Sequence, residues 1–494
     1  MMQQEVRSAS AANKVSDHVQ ALIIELGADL VLAGDDMDRY CRDWHGDVSS
    51  SAVAVLRPRS TKDVSACVKA AINRGLSIVP QGGNTGLVLG AIPDSPETQV
   101  VISLERMTAI RRIEVDDFSA VVEAGCLLSE FKDKVEAAGM FFPLALGAQG
   151  SCRIGGNVST NAGGINVLRY GMTRELVLGV EVVLPDGSIF DGLSTLRKDN
   201  RGIDVKQLFI GAEGTLGIIT AVSVKLMPYP AQVATALLGL NSLEEAITLY
   251  RRARYDCCDL MSAFEFMPPI AFTLAREAMP DLAMPLDGNY PAYVLMEISG
   301  SGLINIEELM QRFLENVMQD GLVVDGVIAT SHEQSRKLWL FREGMNEGQA
   351  KRGSHLRTDV SVPLSRLAEF VREAELAIHA GLPDCVCVSY GHVGDGNVHL
   401  NVLPPETLDR EESDACIYAA KKIINDVLDG YDGSISAEHG IGRLKRSDFE
   451  KWLPDIRRQL LNRIKTAIDP KFVMNPGCQL SFPLNLDIGG GRQT

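Results

Sequence analysis

The segment SYGHVGDGNVHLNV, residues 389–402, sets His392 and His399 seven positions apart across a glycine-rich bend. If its last six residues form a strand, alternation sends Asn397, His399 and Asn401 to one face and Val398, Leu400 and Val402 to the other. One face then carries chemistry while the other packs. Gly394, Asp395 and Gly396 let the chain fold His392 back toward His399. A third ligand is available in SAEHGIG, residues 436–442, where Glu438 stands beside His439 between small residues. Two imidazoles and one carboxylate leave coordination positions open, the pattern of a catalytic divalent metal. The competing reading makes both histidines hydrogen-bonded core groups of an apolar strand.

Two cations could serve the same place. In SRKLWLFREGMN, residues 335–346, Leu338, Arg342 and Asn346 share one helical stripe, which brings Arg342 close to aromatic neighbours. In HLRTDVSV, residues 355–362, strand alternation puts Arg357, Asp359 and Ser361 on one face, so Arg357 can join Arg342 over one pocket. A guanidinium fork suits a carboxylate because it donates two parallel hydrogen bonds. A surface ion pair is the alternative for each.

The first half of the chain offers a different device. Three glycine-rich clusters, PQGGNTGL at 80–87, the run 143–164 with its core IGGNVSTNAGG, and IGAEGTLGII at 210–219, mix glycine with Ser, Thr or Asn. Glycine has no Cβ to obstruct an anion, so backbone N–H groups in such loops can approach a phosphate closely. No G-x-G-x-x-G follows the first strand and no G-x-x-x-x-G-K-[ST] occurs, so neither a Rossmann dinucleotide site nor a P-loop is supported.

These residues must be positioned by 494 residues of 46% hydrophobic content, enough for two or three domains. A formal charge of −16 argues against a nucleic-acid footprint. Among the ten cysteines, Cys257 with Cys258 and Cys385 with Cys387 lack the spacing of a zinc ribbon or redox dithiol, and no ferredoxin-type run is present. No apolar run approaches the ~18 residues of a membrane span. The opening residues 1–13 contain no secretory h-region, so a cytoplasmic protein is the expectation.

Strand and helix patterns alternate from residue 51: AVAVL at 52–56, a helix from Asp63 closed by Gly75, SIVP from Ser77, VVISL at 100–104, SAVVEAG from Ser119 and a helix over 129–139. Pro228, Tyr229 and Pro230 end the strand IITAVSVKLM and mark a boundary. Helical stretches at 305–320 and 364–380 then alternate with strands such as YVLMEI at 293–298. The expected organisation is an N-terminal segment (1–45), a cofactor domain (46–228), a cap (229–440), a C-terminal helical segment returning to the first domain (441–485) and a flexible tail (486–494).

The three clusters, in this order and spacing, resemble the flavin-binding half of the vanillyl-alcohol-oxidase-type FAD family, and the second half resembles its D-2-hydroxyacid dehydrogenase branch. The resemblance covers roughly residues 42–483. It implies an α+β fold with a two-part FAD domain and an α/β substrate cap built on an antiparallel sheet. Pro80, Gln81, Gly82, Gly83, Asn84, Thr85, Gly86 and Leu87, with Pro143, Gly147, Ser151, Ile154, Gly155, Gly156, Ser159, Thr160, Asn161, Gly163 and Gly164, would wrap the FAD pyrophosphate. Glu213, Gly214, Gly217, Ile218 and Ile219 would lie along the ribityl chain and ring, with Asn475 also at the cofactor. Some relatives attach FAD through a histidine at the place of Asn84, so non-covalent FAD is implied here.

By the same resemblance His392, His399 and Glu438 would hold a divalent ion, zinc above all, and Arg342 would anchor the substrate carboxylate. His439 would take the hydroxyl proton and Asn401 would add a polar contact while hydride passes to flavin N5. In D-2-hydroxyglutarate-oxidising relatives the place of Asn346 is typically a threonine and that of Arg357 a lysine, so the acid pocket is altered here. Two cations in an acidic protein favour a dicarboxylate, D-2-hydroxyglutarate or the shorter D-malate. Oxidation of D-lactate or glycolate is the nearer alternative, and a metallohydrolase is the flavin-free one. The implied electron acceptor is an electron-transfer flavoprotein or a quinone, and a homodimer is compatible with the reading.

Overall fold

The computed structural model describes residues 2–482; the expected tail at 486–494 lies outside the described residues. The first sheet contains Val31–Leu32, β1 (Ala54–Leu56), β2 (Ser77–Gln81) and β3 (Gln99–Ser103), in the spatial order Val31–Leu32, β1, β3, β2. Helix α1 (Thr61–Asn73) connects β1 to β2; Ser60 caps it by accepting from Asp63 N, and Gly75 at φ +67° turns the chain out of it. The β-α-β pattern read from the sequence is present, but β1 and β2 do not pair. Both run parallel to β3, which lies between them.

A second sheet is antiparallel throughout. It comprises β4 (Ile110–Glu114), β5 (Ser119–Glu123), β6 (Val177–Val183), β7 (Ile189–Asp191) and β8 (Ile218–Lys225), ordered β4-β5-β8-β6-β7. Helices α2 (Leu128–Ala137) and α3 (Ile154–Ser159) connect β5 to β6. Phe131, Val135, Ile154 and Val158 from these helices join Val122, Val180 and Val222 in one core.

Past Pro228–Pro230 the chain enters the cap. Its four-stranded antiparallel sheet is ordered β10-β11-β9-β12, from β9 (Gln232–Leu240), β10 (Met261–Met267), β11 (Ala292–Gly300) and β12 (Asp325–Ile328). Helices α4 (Leu243–Asp256), α5 (Pro269–Ala278), α6 (Ile306–Gln319) and α7 (His332–Lys351) pack around it. A smaller antiparallel sheet, β13 (Val360–Ser361), β15 (Asn397–Leu403) and β14 (Val386–Tyr390), follows with α8 (Leu367–Gly381) and α9 (Arg410–Leu428). A bridge between Phe266 and Gly391 ties the two cap sheets together.

The C-terminal segment returns to the first half. Ile464 and Ile468 of α10 (Asp455–Ile468) pack on the second sheet's core, and Met474 bridges Ile78 of β2. Lys465, 2% exposed, donates to Thr215 O, Asp469 Oδ2 and Met474 O at 2.6–2.9 Å. A lysine is buried only when its charge is fully partnered, so this network fixes where the segment docks.

Candidate active site

The glycine clusters converge on one cleft between the two sheets of the first half. Its wall includes Pro80 to Gly86, Gly155, Gly156, Ser159, Thr160, Glu213, Gly214, Gly217, Ile218 and Ile219. The amides of Gly83, Asn84, Thr85 and Gly86 have no acceptor among the described residues, so a run of N–H donors is left for an anion. The glycines are needed for two distinct reasons. A Cβ on Gly83 would stand 2.2 Å from Ser151 O, and one on Gly155 2.4 Å from Ala124 Cβ, so these two let segments touch. A Cβ on Gly86 or Gly156 would meet nothing within 4 Å, so these two keep the cleft open. Free backbone donors lining a cradle without side chains fit a dinucleotide such as FAD.

Other residues expected at the cofactor are not on this wall. Gly164 donates its N–H to Glu438 Oε2 at 2.8 Å, and a Cβ on Gly163 would approach that same oxygen, so both support the metal-ligand candidate instead. Pro143 O accepts from Asn166, Asn161 Oδ1 accepts from Arg174 N, and Ile154 is buried in the core. Ser151 lies behind Gly83, Gly147 is exposed, and Leu87 is also off the wall. Asn475 donates to Gly90 O and Glu213 O, holding two wall segments without facing the cleft. The Glu213 carboxylate, though at the wall, is occupied by the amides of Ile441 and Gly442 and by Gln479. Val88, Gly90, Ala91 and Leu104 line the cleft without having been expected to, Arg153 and Asn157 fall within the expected 143–164 run, and His439, expected as the base, lies on the same wall.

His439 leads from the cleft to the second constellation. Alternation along β15 places Asn397, His399 and Asn401 together as expected, and the 393–395 turn returns His392 toward His399, with ring centroids 5.9 Å apart. Their Nε2 atoms lie 3.8 and 3.7 Å from Glu438 Oε1. On the far side of each ring, His392 Nδ1 is 2.5 Å from Glu265 Oε1 and His399 Nδ1 is 3.0 Å from Thr358 O. Acceptors on both Nδ1 atoms keep a proton there and turn both Nε2 atoms toward a common point, where His399 offers its lone pair directly and His392 does so once a cation displaces its Nε2 proton. The donor set fits a divalent cation.

Electrostatics follow from these partners. Burial opposes charge on His392, yet the Glu265 carboxylate outweighs it and carries the imidazole up to about 9. Burial drives His399 down to about 4. For Glu265 burial would raise the pKa, but His392 and Arg342 hold it at about 2.

The 436–440 turn is organised by Asp359, which is almost fully buried. Its Oδ2 accepts from Ser436 Oγ at 3.2 Å, Glu438 N at 3.0 Å and His439 N at 2.8 Å. Burial works against this charge, but His439 and Lys445 hold it ionised well below the usual range. His439 stacks on His399 at 5.7 Å between centroids, with Nδ1 3.6 Å from Asp359 Oδ2.

Arg342 and Asn346 share a face of α7 as expected. Arg342 gives Nε to Glu265 Oε2 at 2.7 Å, and its guanidinium lies 4.8 Å over the Tyr390 ring. Its terminal nitrogens keep no acceptor among the described residues. Tyr390 donates its hydroxyl to Asn346 Oδ1 at 2.8 Å and faces Asn401 Nδ2 at 3.3 Å. Asn401 also donates to Gln349 and accepts from Thr358 N, which fixes its rotamer. Arg357 is exposed and without a carboxylate partner among the described residues. It lies near enough to Tyr390 for its charge, with that of Arg342, to oppose the burial that raises the phenol. The extended alternation read through 355–362 is shortened to β13, with Thr358 and Asp359 held by side-chain hydrogen bonds before it. Glu265, Tyr390 and Asp359 were not recognised as site residues from the sequence.

Comparison with known proteins places this architecture. Residues 52–192 match the FAD binding domain family, and residues 229–478 match the C-terminal domain of FAD linked oxidases. The fold is shared with p-cresol methylhydroxylase at a TM-score of 0.74 and 17% identity, covering 95% of this chain and 97% of that one. A 4-ethylphenol oxidase from Gulosibacter chungangensis gives 0.74 at 18%, covering 96% and 98%. The FAD domain with a cap over its cleft is therefore that of the vanillyl-alcohol-oxidase type, an α+β fold.

Closer relatives are enzymes. The mitochondrial D-2-hydroxyglutarate dehydrogenase of Bos taurus is 41% identical over 88% of this chain and 78% of its own. The D-2-hydroxyglutarate dehydrogenase of Xanthomonas citri is 36% identical over 90% and 92%. A putative mitochondrial D-lactate dehydrogenase of Schizosaccharomyces pombe is 37% identical over 89% and 84%. The chain belongs to the FAD-linked oxidase family, in its D-2-hydroxyacid dehydrogenase branch. No helix among the described residues is long and apolar enough to cross a membrane. Two of these relatives are named mitochondrial, so their names lend no support to the expected cytoplasmic location.

Proposed function

We propose that this protein oxidises a D-2-hydroxydicarboxylate to the 2-oxoacid, with non-covalent FAD as hydride acceptor and a divalent cation, zinc by its nitrogen-rich donor set, at His392, His399 and Glu438. The observation that carries the reading is the junction at His439, a residue on the flavin cleft wall that also stacks on a histidine of the candidate metal cluster. FAD supplies the two-electron chemistry at its ring, and the cation supplies Lewis acidity toward the substrate hydroxyl. The protein's own groups then have separable tasks. Arg342, with Nε tied to Glu265, presents its two terminal nitrogens as a fork for the C1 carboxylate. Asn346, whose Oδ1 accepts from the Tyr390 hydroxyl, keeps its NH2 for a contact at the same place, and Asn401 fixes that hydroxyl by donating to it. His439 receives the hydroxyl proton, with Asp359 beside its ring to stabilise the imidazolium.

Asn84 supports the non-covalent attachment. An amide is not a nucleophile, and its Nδ2 is held by Arg42 O at 2.8 Å. Arg357, without an ion-pair partner among the described residues and near Tyr390, supports a second carboxylate on the substrate. D-2-hydroxyglutarate, the substrate in the relatives' names, and the shorter D-malate are favoured over D-lactate. The electron acceptor beyond FAD would be an electron-transfer flavoprotein or a quinone.

The test is an absorption spectrum followed by dye-linked turnover on a panel of D-2-hydroxyacids, with and without a strong chelator. A yellow protein whose colour is released by acid, which turns over the diacids fastest and loses turnover but not colour to the chelator, is expected. Colour retained in the acid pellet overturns the attachment, chelator resistance without bound metal overturns the cation, and a preference for D-lactate overturns the diacid. Arg357→Met should cost the diacid ~2–3 kcal/mol more in kcat/KM than it costs D-lactate, the worth of one charge-assisted contact.

A further inference from the structure

Glu265 lies within β10 with 1% of its side chain exposed, so it faces neither solvent nor the open part of the site. Its two oxygens go to different partners. Oε1 is 2.5 Å from His392 Nδ1, and Oε2 accepts from Arg342 Nε at 2.7 Å. Each partner is left with its other nitrogens for use: Nε2 of His392, 3.8 Å from Glu438 Oε1, and the terminal pair of Arg342. Backbone pairing fixes the arrangement, because Phe266 and Gly391 exchange hydrogen bonds of 3.0 and 3.1 Å. The residue after Glu265 is thereby locked to the residue before His392.

We propose that Glu265 is a positioning residue that couples the two poles of the site: one carboxylate sets which nitrogen His392 offers to a divalent cation and aims the Arg342 fork at the substrate carboxylate. This rests on the function proposed above. An ionised carboxylate can accept from both partners at once, and no other side chain of that length can. A glutamine has one acceptor and one donor end. If its oxygen stays on Arg342, its NH2 faces His392 Nδ1 and drives the ring proton to Nε2, which then cannot bind a cation. If its oxygen faces His392, its NH2 meets the arginine's own donors and displaces the fork. A carboxylate that merely neutralised Arg342 would make neither link.

Glu265→Gln is therefore to be purified as the flavoprotein and its zinc affinity measured by competition with a chelating dye. KM and kcat for D-2-hydroxyglutarate are measured alongside, with the flavin spectrum and melting curve as controls of folding. Zinc binding should weaken about 10–100-fold and KM should rise, with the flavin spectrum unchanged. A folded Glu265→Gln protein with wild-type zinc affinity and wild-type KM overturns the proposal and leaves the metal reading standing. A fully active wild type that holds no divalent metal instead overturns that reading. If the variant yields no flavin-loaded protein, cadmium-loaded wild type carrying nitrogen-labelled histidine decides: coupling through His392 Nε2 with a proton on Nδ1 is expected, and coupling through Nδ1 overturns the proposal.

Discussion

The flavin cleft and the cap site are built from opposite materials. The cleft is walled largely by glycines and unpaired backbone amides, and the one carboxylate on its wall among the described residues, Glu213, is occupied by other parts of the protein. The cap site is a network of charged and polar side chains held by partners on different elements, with the Arg342 terminal nitrogens and the Nε2 atoms of His392 and His399 left without a hydrogen bond among the described residues. Backbone donors can cradle a phosphate with little desolvation cost, because amides are neutral and already fixed by the fold. Directing a cation, a carboxylate and a proton to separate points requires charged groups, and each buried charge must be balanced by another. The cleft should therefore fail by steric obstruction and the cap by loss of a partner.

Arg342→Met tests that contrast most strongly. Removing the guanidinium takes away the proposed substrate fork and leaves the buried Glu265 without one of its two cationic partners. We expect kcat/KM to fall by ~30- to 5000-fold, from the ~2–5 kcal/mol attached to truncating one partner of a buried, hydrogen-bonded charge pair. Stability should fall as well, while flavin content at saturation stays at one per chain. Loss of flavin in step with activity would show that the two regions are not separable.

Acid titration distinguishes them without losing any side-chain volume. Glu265 is held at about 2, below its ordinary value near 4.5. A depressed carboxylate contributes stability above its unfolded pKa, and that contribution drains as pH falls through the folded one. The window is therefore pH 4.5 down to 2, and the share at stake is up to about 3 kcal/mol. Urea unfolding of chelator-treated protein should show a steeper decline below pH 4.5 in wild type than in Glu265→Gln. Parallel curves would mean that Glu265 gains nothing from its two partners.

Gly83→Ala attacks the cleft side. A methyl group there would stand 2.2 Å from Ser151 O and 2.9 Å from Cys152 Cα, both backbone, so a loop must move. Overpacking of this kind costs ~1–3 kcal/mol, and the displaced amides should release flavin. The zinc affinity proposed for the cap should be unchanged from wild type. Equilibrium dialysis of flavin beside the chelating-dye titration reads both.

The same contrast explains what could be read in the sequence. A backbone cradle demands residues without a Cβ, so PQGGNT and IGG stand out in a bare chain, and the cleft was legible at Gly83 and Gly156. Where the cradle ends was not legible. Gly163 and Gly164 continue the second cluster, yet they lie against Glu438, because close approach of a carboxylate and of a phosphate require the same residue type. In the cap, His392, His399 and Glu438 were visible by type and by strand alternation. Glu265 was not, because MSAFEFM reads as an apolar strand with one interruption. That interruption was itself a signal, since an acid between Phe264 and Phe266 in a buried strand must have a partner. Tyr390 and Asp359 act through contacts between segments far apart in the chain, which no local spacing encodes.

The smallest expected effect is the one that separates cofactor fit from protein fit. Gly156 lies in α3, and a Cβ built on it meets nothing within 4 Å among the described residues beyond its chain neighbours and its own helix backbone. Alanine in a helix restricts the unfolded chain more than glycine does, so Gly156→Ala should stabilise flavin-free protein by ~0.5–1 kcal/mol. The same methyl group would project from the cleft wall beside Gly82, whose own Cβ position is 3.4 Å from Gly156 Cα. Flavin affinity should therefore fall while the melting temperature of the stripped protein rises. Opposite signs in the two measurements would show that glycine is kept at 156 for the ligand and against the helix. If both rise, the cofactor does not approach α3 at this point, and the cradle is confined to the 83–86 loop.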